Sequence, residues 1–264
     1  MAGSKQRRLE NAVAAVQQHH GPRALRRGGE LSRLPAVPHL STGFSGLDAI
    51  TGCGGVPLGM LTLLSGRSTS GKLTLAYKLL ANAQRAFAPG GVPSTVILLD
   101  LGRTADPDYV VRCGVDLEHL LVARPSVGPN AVNLIADLLQ QYHPRAMVVD
   151  GLADLATDRA VLHHLNTSLG KLQRLLRATG CALVILDEPR PPWLRWLNLD
   201  AASLVRWAAA LHIEMQREHW LRQNGEMTGY RALARLLKSR WMYGIRSAPV
   251  EIIFNGTVRA RETW

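Results

Sequence analysis

The stretch Gly66-Arg-Ser-Thr-Ser-Gly-Lys-Leu73 decides how the rest of the chain is read. Gly66, Gly71 and Lys72 have the spacing of a loop that wraps phosphate. In such a loop backbone N–H groups and the N-terminus of the next helix surround the phosphate oxygens, and the lysine reaches the terminal phosphates. Arg67, Ser68, Thr69 and Ser70 complete the loop. The residue after the lysine is normally Ser or Thr, whose hydroxyl holds magnesium. Here it is Leu73, and Thr74 stands one position late, turned about 100° around a helix. Residues 66–74 are therefore a candidate nucleotide-binding segment with an altered magnesium position.

The flanks suit that reading. Met60-Leu-Thr-Leu-Leu64 reads as a short buried strand, and Leu73, Leu75, Ala76, Leu79, Leu80 and Ala83 supply a helix after the loop. Three more apolar runs, 95–100, 146–150 and 181–187, end in Asp100, Asp150 and Asp187. They lack strict alternation, as parallel strands buried on both faces do. Helix-like segments near 130–142 and 160–178 separate them.

The expected fold is an α/β core with a mostly parallel central sheet and helices on both faces, its ligands at the carboxyl ends of the strands. Asp150 then reads as a magnesium-site carboxylate or, alternatively, as a strand-end residue capping the next helix. Residues 211–216 alternate like a half-exposed strand, residues 251–254 look like another, and 230–241 fits either helix or strand. These extend the sheet in antiparallel sense. Leu9, Val13 and Val16 give residues 5–20 a helical stripe that stops at Gly21-Pro22. The expected division is an N-terminal helix and basic connector over 1–38, a core over 39–257 and a short tail over 258–264.

Composition sets outer bounds. With 264 residues, 47% apolar and 19% charged, the chain can bury a core. Lys and Arg outnumber Asp and Glu by 31 to 20, a net charge of +11 that suits nucleic acid or an acidic membrane surface, or serves as solubilising surface. Cys53, Cys113 and Cys181 are far apart and read as reduced thiols, not as a disulfide framework. No signal-peptide core is evident, nor any run of about 18 apolar residues, so a cytoplasmic protein without a membrane span is the expectation. The histidine pairs at 19–20 and 163–164 lack partner spacing, so no structural metal is predicted. Ser65 and Ser68 form no local nucleophile motif.

Several ordered segments carry a resemblance. Gly21–Glu30, Leu40–Asp48, Gly54–Gly59, the phosphate loop, Asp106–Asp116 and Ala146–Leu155 together resemble the bacterial RecA recombinases and their shorter relatives, including ImuA-like proteins. The similarity runs over most of 7–190 and thins afterwards. It implies a RecA-like core binding ATP or ADP with magnesium. It also implies a homo-oligomer in which the helix over residues 8–20 packs on a neighbouring protomer. Lys238 and Arg240 match basic residues that reach nucleotide across the subunit interface, or else face solvent on an edge strand.

The same resemblance marks departures. Gly102 stands where active recombinases carry a catalytic glutamate, and glycine cannot act as a general base. Asp187-Glu188 replaces an Asn-Gln pair that senses nucleotide. The loop after Asp150 is shortened to about Gly151–Asp158, with little positive charge. Pro189-Arg-Pro-Pro-Trp-Leu-Arg-Trp196 replaces a glycine-rich DNA-binding loop. Arg190, Trp193, Arg195 and Trp196 suit phosphate contacts and base stacking on a single strand, or else anchor a protein interface.

The resemblance thus implies a catalytically degenerate accessory protein of DNA repair or SOS-type translesion synthesis, cytoplasmic or nucleoid-associated. Its partners would be RecA, an error-prone polymerase complex or single-stranded DNA. Two alternatives stand beside it. One is a DNA-dependent ATPase with altered magnesium coordination, and the other a nucleotide-independent DNA-binding or filament-capping module.

Overall fold

The computed structural model describes residues 2–21, 37–86, 91–125, 129–155, 159–189, 201–254 and 258–261. It divides into two units, Met1–Ala36 and Val37–Trp264. In the first, helix α1 (Ala2–His20) carries the expected stripe, and Leu9 and Val16 on it are exposed.

In the second unit a two-stranded ladder, β1 (His39–Leu40) with β2 (Val56–Pro57), encloses α2 (Ser45–Thr51). Five parallel strands follow: β3 (Leu61–Gly66), β4 (Val96–Asp100), β5 (Leu120–Ala123), β6 (Ala146–Asp150) and β7 (Ala182–Asp187). The helices between them are α3 (Lys72–Ala86), α4 (Pro107–Arg112), α5 (Pro129–Tyr142), α6 (Leu152–Leu155) and α7 (Arg159–Thr179). Then come α8 (Ala201–Ala208), β8 (Leu211–Gln223), β9 (Glu226–Ser239), β10 (Arg246–Phe254) and β11 (Val258–Arg261). The nine strands form one sheet in the order β11-β10-β9-β8-β3-β7-β6-β4-β5, antiparallel from β8 outward to β11 and parallel from β8 to β5. An α/β core with a mostly parallel sheet and an antiparallel extension is the fold expected from the sequence.

The apolar runs are continuous because each central strand serves two cores. Leu64, Leu98, Val148 and Val184 face one core with Leu75, Leu79 and Leu80 of α3. Leu63, Ile97, Met147, Val149 and Ile185 face the other, with α5, α7 and α8. Successive side chains point to opposite faces, so a strand covered on both sides has no polar positions to alternate. Burial stabilises each such Leu or Ile by roughly 1.5–3 kcal/mol before the entropy of ordering it is counted.

Residues 230–241, ambiguous in sequence, belong to strand β9 over most of their length. Tyr230, Ala232, Ala234 and Leu236 are buried at a period of two, and β9 pairs with β8 along its length. Asn224 and Gly225, both at positive φ, join the two strands in a two-residue turn. Besides the two-residue β1 and β2, two strands were not expected. β5 is a short edge strand whose Leu121 and Val122 are exposed, which hides it from a search for buried runs. β11 lies within 258–264, the segment read as a tail, and pairs with β10. Among the described residues no helix is long and apolar enough to cross a membrane.

Candidate functional site

Strand β3 ends at Gly66 and helix α3 begins at Lys72, with the turn between them held by Ser70 N–H donating to the Arg67 carbonyl at 3.1 Å. Glycine is required at both ends of this turn. A β-carbon on Gly66 would stand 2.5 Å from the Met215 carbonyl oxygen. Gly71 has φ +91, and a β-carbon there would meet the Tyr230 hydroxyl at 2.8 Å. Thr69 is held at φ 61, a conformation costly for a β-branched residue, and such strain concentrates at ligand-binding loops. The loop opens on a cleft of about 780 Å³ whose other walls come from Gly102, Thr104, Tyr109, residues 150–154, Glu188, Trp220, Tyr230 and Phe254.

The lysine is not free in this cleft. Lys72 Nζ donates to the Arg67 carbonyl at 3.2 Å and to Glu188 Oε2 at 3.4 Å, while Ser68 N–H donates to Glu188 Oε1 at 3.0 Å. Leu73 packs against the core that α3 covers, and its hydrocarbon side chain has no oxygen to offer magnesium. Thr74 is buried, and its hydroxyl accepts from Tyr230 Oη at 2.9 Å and shares a hydrogen bond with Tyr109 Oη at 2.5 Å. Burial raises the pKa of both tyrosines, keeping them neutral. The fold itself therefore uses the hydroxyl one position late.

Asp100 and Asp150 face each other in register across β4 and β6. Asp100 is fully buried and accepts from Thr104 N–H at 3.0 Å, Ala105 N–H at 3.3 Å and Arg124 Nε at 2.8 Å. Asp150 accepts from the Thr104 hydroxyl at 3.4 Å, a long bond. Burial raises its pKa, the charge of Asp100 adds to the shift, and Lys72 opposes it. Asp187 ends β7 and is also buried. A β-carbon on Gly102 would lie 3.7 Å from Asp154 Oδ2, so the Asp154 carboxylate borders the space a longer side chain at 102 would enter. Asp154 was not singled out in sequence. Its spacing, one helical turn after the strand-end Asp150, is the signal that points it back to the strand end.

Aromatic residues remote in sequence close the cleft's far wall. Tyr230 stands edge-on to Trp220 with centroids 5.8 Å apart and tilted to Phe254 at 5.7 Å, and Arg217 lies over the Trp220 ring at 4.7 Å. They arrive from α4, β8, β9 and β10 together with Tyr109, a juxtaposition that periodicity within any one segment does not reveal.

Other candidate residues lie elsewhere. Lys238 Nζ donates to the Arg206 and Trp207 carbonyls at 2.8 and 2.9 Å, capping the end of α8. Burial, then the charge of Arg240, lowers its pKa. Arg240 is exposed just past β9, and neither cation lines this chain's own cleft. Arg190, Trp193, Arg195 and Trp196 lie outside the described residues. Ser65 Oγ and His212 Nε2 are buried 2.8 Å apart, and burial, followed by the charges of Arg206 and Lys238, pushes His212 down to about 4. A neutral imidazole paired to a hydroxyl away from the cleft is a packing arrangement, not a nucleophile.

These residues fit a phosphate group: a glycine-bounded turn into a helix N-terminus, with a lysine at its mouth. For magnesium they supply the Asp150 carboxylate but no hydroxyl at position 73.

The chain matches the family described as RecA N-terminal domain over residues 7–182. It is similar to Protein RecA of Acidothermus cellulolyticus, 26% identical over 270 residues that span 96% of this chain and 76% of that protein. Protein RecA of a Roseiflexus species is 27% identical over 271 residues, covering 97% and 75% of the two chains. Protein RecA of Thermus aquaticus is 26% identical over 271 residues, covering 96% and 78%. The family match takes in the phosphate loop, Asp150 and the first four strands of the parallel core, and on that ground the chain belongs to the RecA recombinase superfamily.

Proposed function

We propose that this chain is a catalytically degenerate RecA-like accessory protein of DNA repair or damage-induced translesion synthesis, similar in role to ImuA-like proteins. It keeps the cradle to bind ATP or ADP, not to turn ATP over, and acts through protein contacts, DNA contacts or both. One observation carries the reading. Lys72 is engaged by Glu188 in a loop that has Leu73 packed on the core, and by the resemblance Gly102, beyond β4, stands where a general base would be. Proton transfer by a positioned base is worth about 10²–10⁴-fold in rate, and the magnesium hydroxyl adds to what is lost. The +11 charge supports a polyanionic partner, and the exposed stripe of α1 supports residues 8–20 as an assembly element. In an assembly Lys238 and Arg240 would offer cations to a neighbour's nucleotide, and Arg190, Trp193, Arg195 and Trp196 would meet DNA or a protein partner.

The test measures ATP binding and hydrolysis together, with and without single-stranded DNA, alongside binding to a recombinase and to a polymerase of the error-prone class. Expected are nucleotide binding weakened at least about tenfold by Lys72→Ala, no DNA-stimulated turnover, and specific binding to one of the two proteins. Turnover that DNA stimulates and Lys72→Ala abolishes would overturn the degenerate reading.

A second reading, an ATPase with altered magnesium coordination, is favoured by the placement of Asp154 beside Gly102. In it Asp154 supplies the missing carboxylate, and Asp154→Asn abolishes turnover while nucleotide binding persists.

A further inference from the structure

The sheet delivers Glu188 onto the phosphate loop. It follows Asp187, the last residue of β7, and β7 lies against β3 with Asp187 opposite Ser65, so the next residue emerges over the turn that follows Gly66. Its two carboxylate oxygens are then taken by two donors of the loop, Ser68 N–H at 3.0 Å and Lys72 Nζ at 3.4 Å. A backbone N–H and an ammonium converging on two oxygens of one anion are the donors such a loop offers to phosphate. The lysine reaches the β- and γ-phosphates of a nucleotide, while the backbone amides that run into the helix N-terminus cradle the α- and β-phosphates. Glu188 takes the amide of Ser68, near the start of the loop, and leaves the N-terminus of α3 to a ligand.

We propose that Glu188 is a specificity-determining residue whose carboxylate holds the terminal-phosphate seat, so that the cleft takes a nucleoside diphosphate in preference to a triphosphate. The proposal rests on the nucleotide-binding reading above. Charge works in the same direction. Among the described residues lining the cleft, Lys72 is the only Lys or Arg, set against Asp150, Asp154 and Glu188. A third phosphate must either pull Lys72 from Glu188 or sit beside a like charge, and at about 4 Å that repulsion outweighs an exposed hydrogen bond. Leu73 compounds the effect, because magnesium bridging the outer phosphates would lack the hydroxyl that normally anchors it. The Glu188 side chain is 54% exposed, so the carboxylate can be changed without opening the core.

The experiment is equilibrium binding of fluorescent ADP and ATP, with and without magnesium, to the full chain and to Glu188→Gln and Glu188→Ala, with a melting curve on each. The unmodified chain should bind the diphosphate about tenfold or more tightly than the triphosphate. Glu188→Gln, which keeps the shape and removes the charge, should tighten the triphosphate about tenfold and move the diphosphate less than about threefold. Glu188→Ala should shift the preference in the same direction. Equal affinities in the unmodified chain, or a preference that neither variant alters, would overturn the assignment of Glu188 while leaving nucleotide binding intact. If no variant binds either nucleotide, the nucleotide-binding reading fails and the proposal goes with it.

Discussion

Asp100 and Asp150 end adjacent parallel strands in register, yet the fold treats the two regions in opposite ways. Beyond β4 the polar groups are consumed locally. Asp100 is closed in by Arg124 and two backbone amides, and a few residues on Tyr109 joins Thr74 and Tyr230 in a hydroxyl chain. Between the phosphate loop and β6 they are left short of partners. Asp150 has one long bond, and Lys72 is held by a half-exposed carboxylate. A fully buried charge must be satisfied by the fold or it destabilises it, whereas a group at the lip of a cleft can await a ligand. The same residue type is thus scaffold on one strand and candidate site on the next.

The sharpest way to break this contrast is on the closed side. Asp100→Ala removes an acceptor shared by three donors and should cost about 3 kcal/mol of unfolding free energy, read from denaturant midpoints. A loss well under 1 kcal/mol, on the scale of an exposed pair, would contradict a scaffold role. Thr74→Val should come next, at about 1–2 kcal/mol, because the buried Tyr230 hydroxyl and the partly buried Tyr109 hydroxyl lose a partner while the volume is kept. It should leave nucleotide affinity unchanged, and a fall in magnesium-dependent binding would return Thr74 to the site.

Asp150→Asn should have the smallest effect on stability, within about 0.5 kcal/mol near neutral pH, and should remove magnesium-dependent nucleotide binding. Its pH signature has a definite sign. Burial and Asp100 raise the Asp150 pKa above the ordinary 3.8, so the folded state holds the proton better than the unfolded chain does. The stability tied to that proton is fully present below 3.8 and is lost as pH rises through the raised value. The gap between the parent chain and Asp150→Asn should therefore change across that window and be flat above it. A gap that changed in the opposite sense would mean that a partner lowers the Asp150 pKa.

Much of the fold was legible because buried parallel strands write themselves as unbroken apolar runs. β4 and β6 fall within a residue of the segments read from composition, and so do α5 and α7. β5 was not legible, since an edge strand four residues long with exposed Leu121 and Val122 has neither length nor pattern. The β8–β9 hairpin carried a signal in Asn224-Gly225, a turn favouring positive φ at both positions. The candidate site divides in the same way. Loop and strand-end acids are local, so spacing identifies them, while the capture of Thr74 by Tyr230 joins residues 156 positions apart.

The sequence by itself determined the phosphate loop, its missing hydroxyl at Leu73 and the strand-end aspartates, because each is a matter of residue type at short spacing, and it determined the superfamily through several such motifs kept in order along the chain. Only the tertiary structure decided which acids are spent and which remain available. It turned Lys238 to a helix end, placed Asp154 beside Gly102 and set Glu188 on Lys72. The physical reason is that a side chain's role depends on the donors and charges within a few ångströms of it, and strand order in the sheet brings those together from distant parts of the chain.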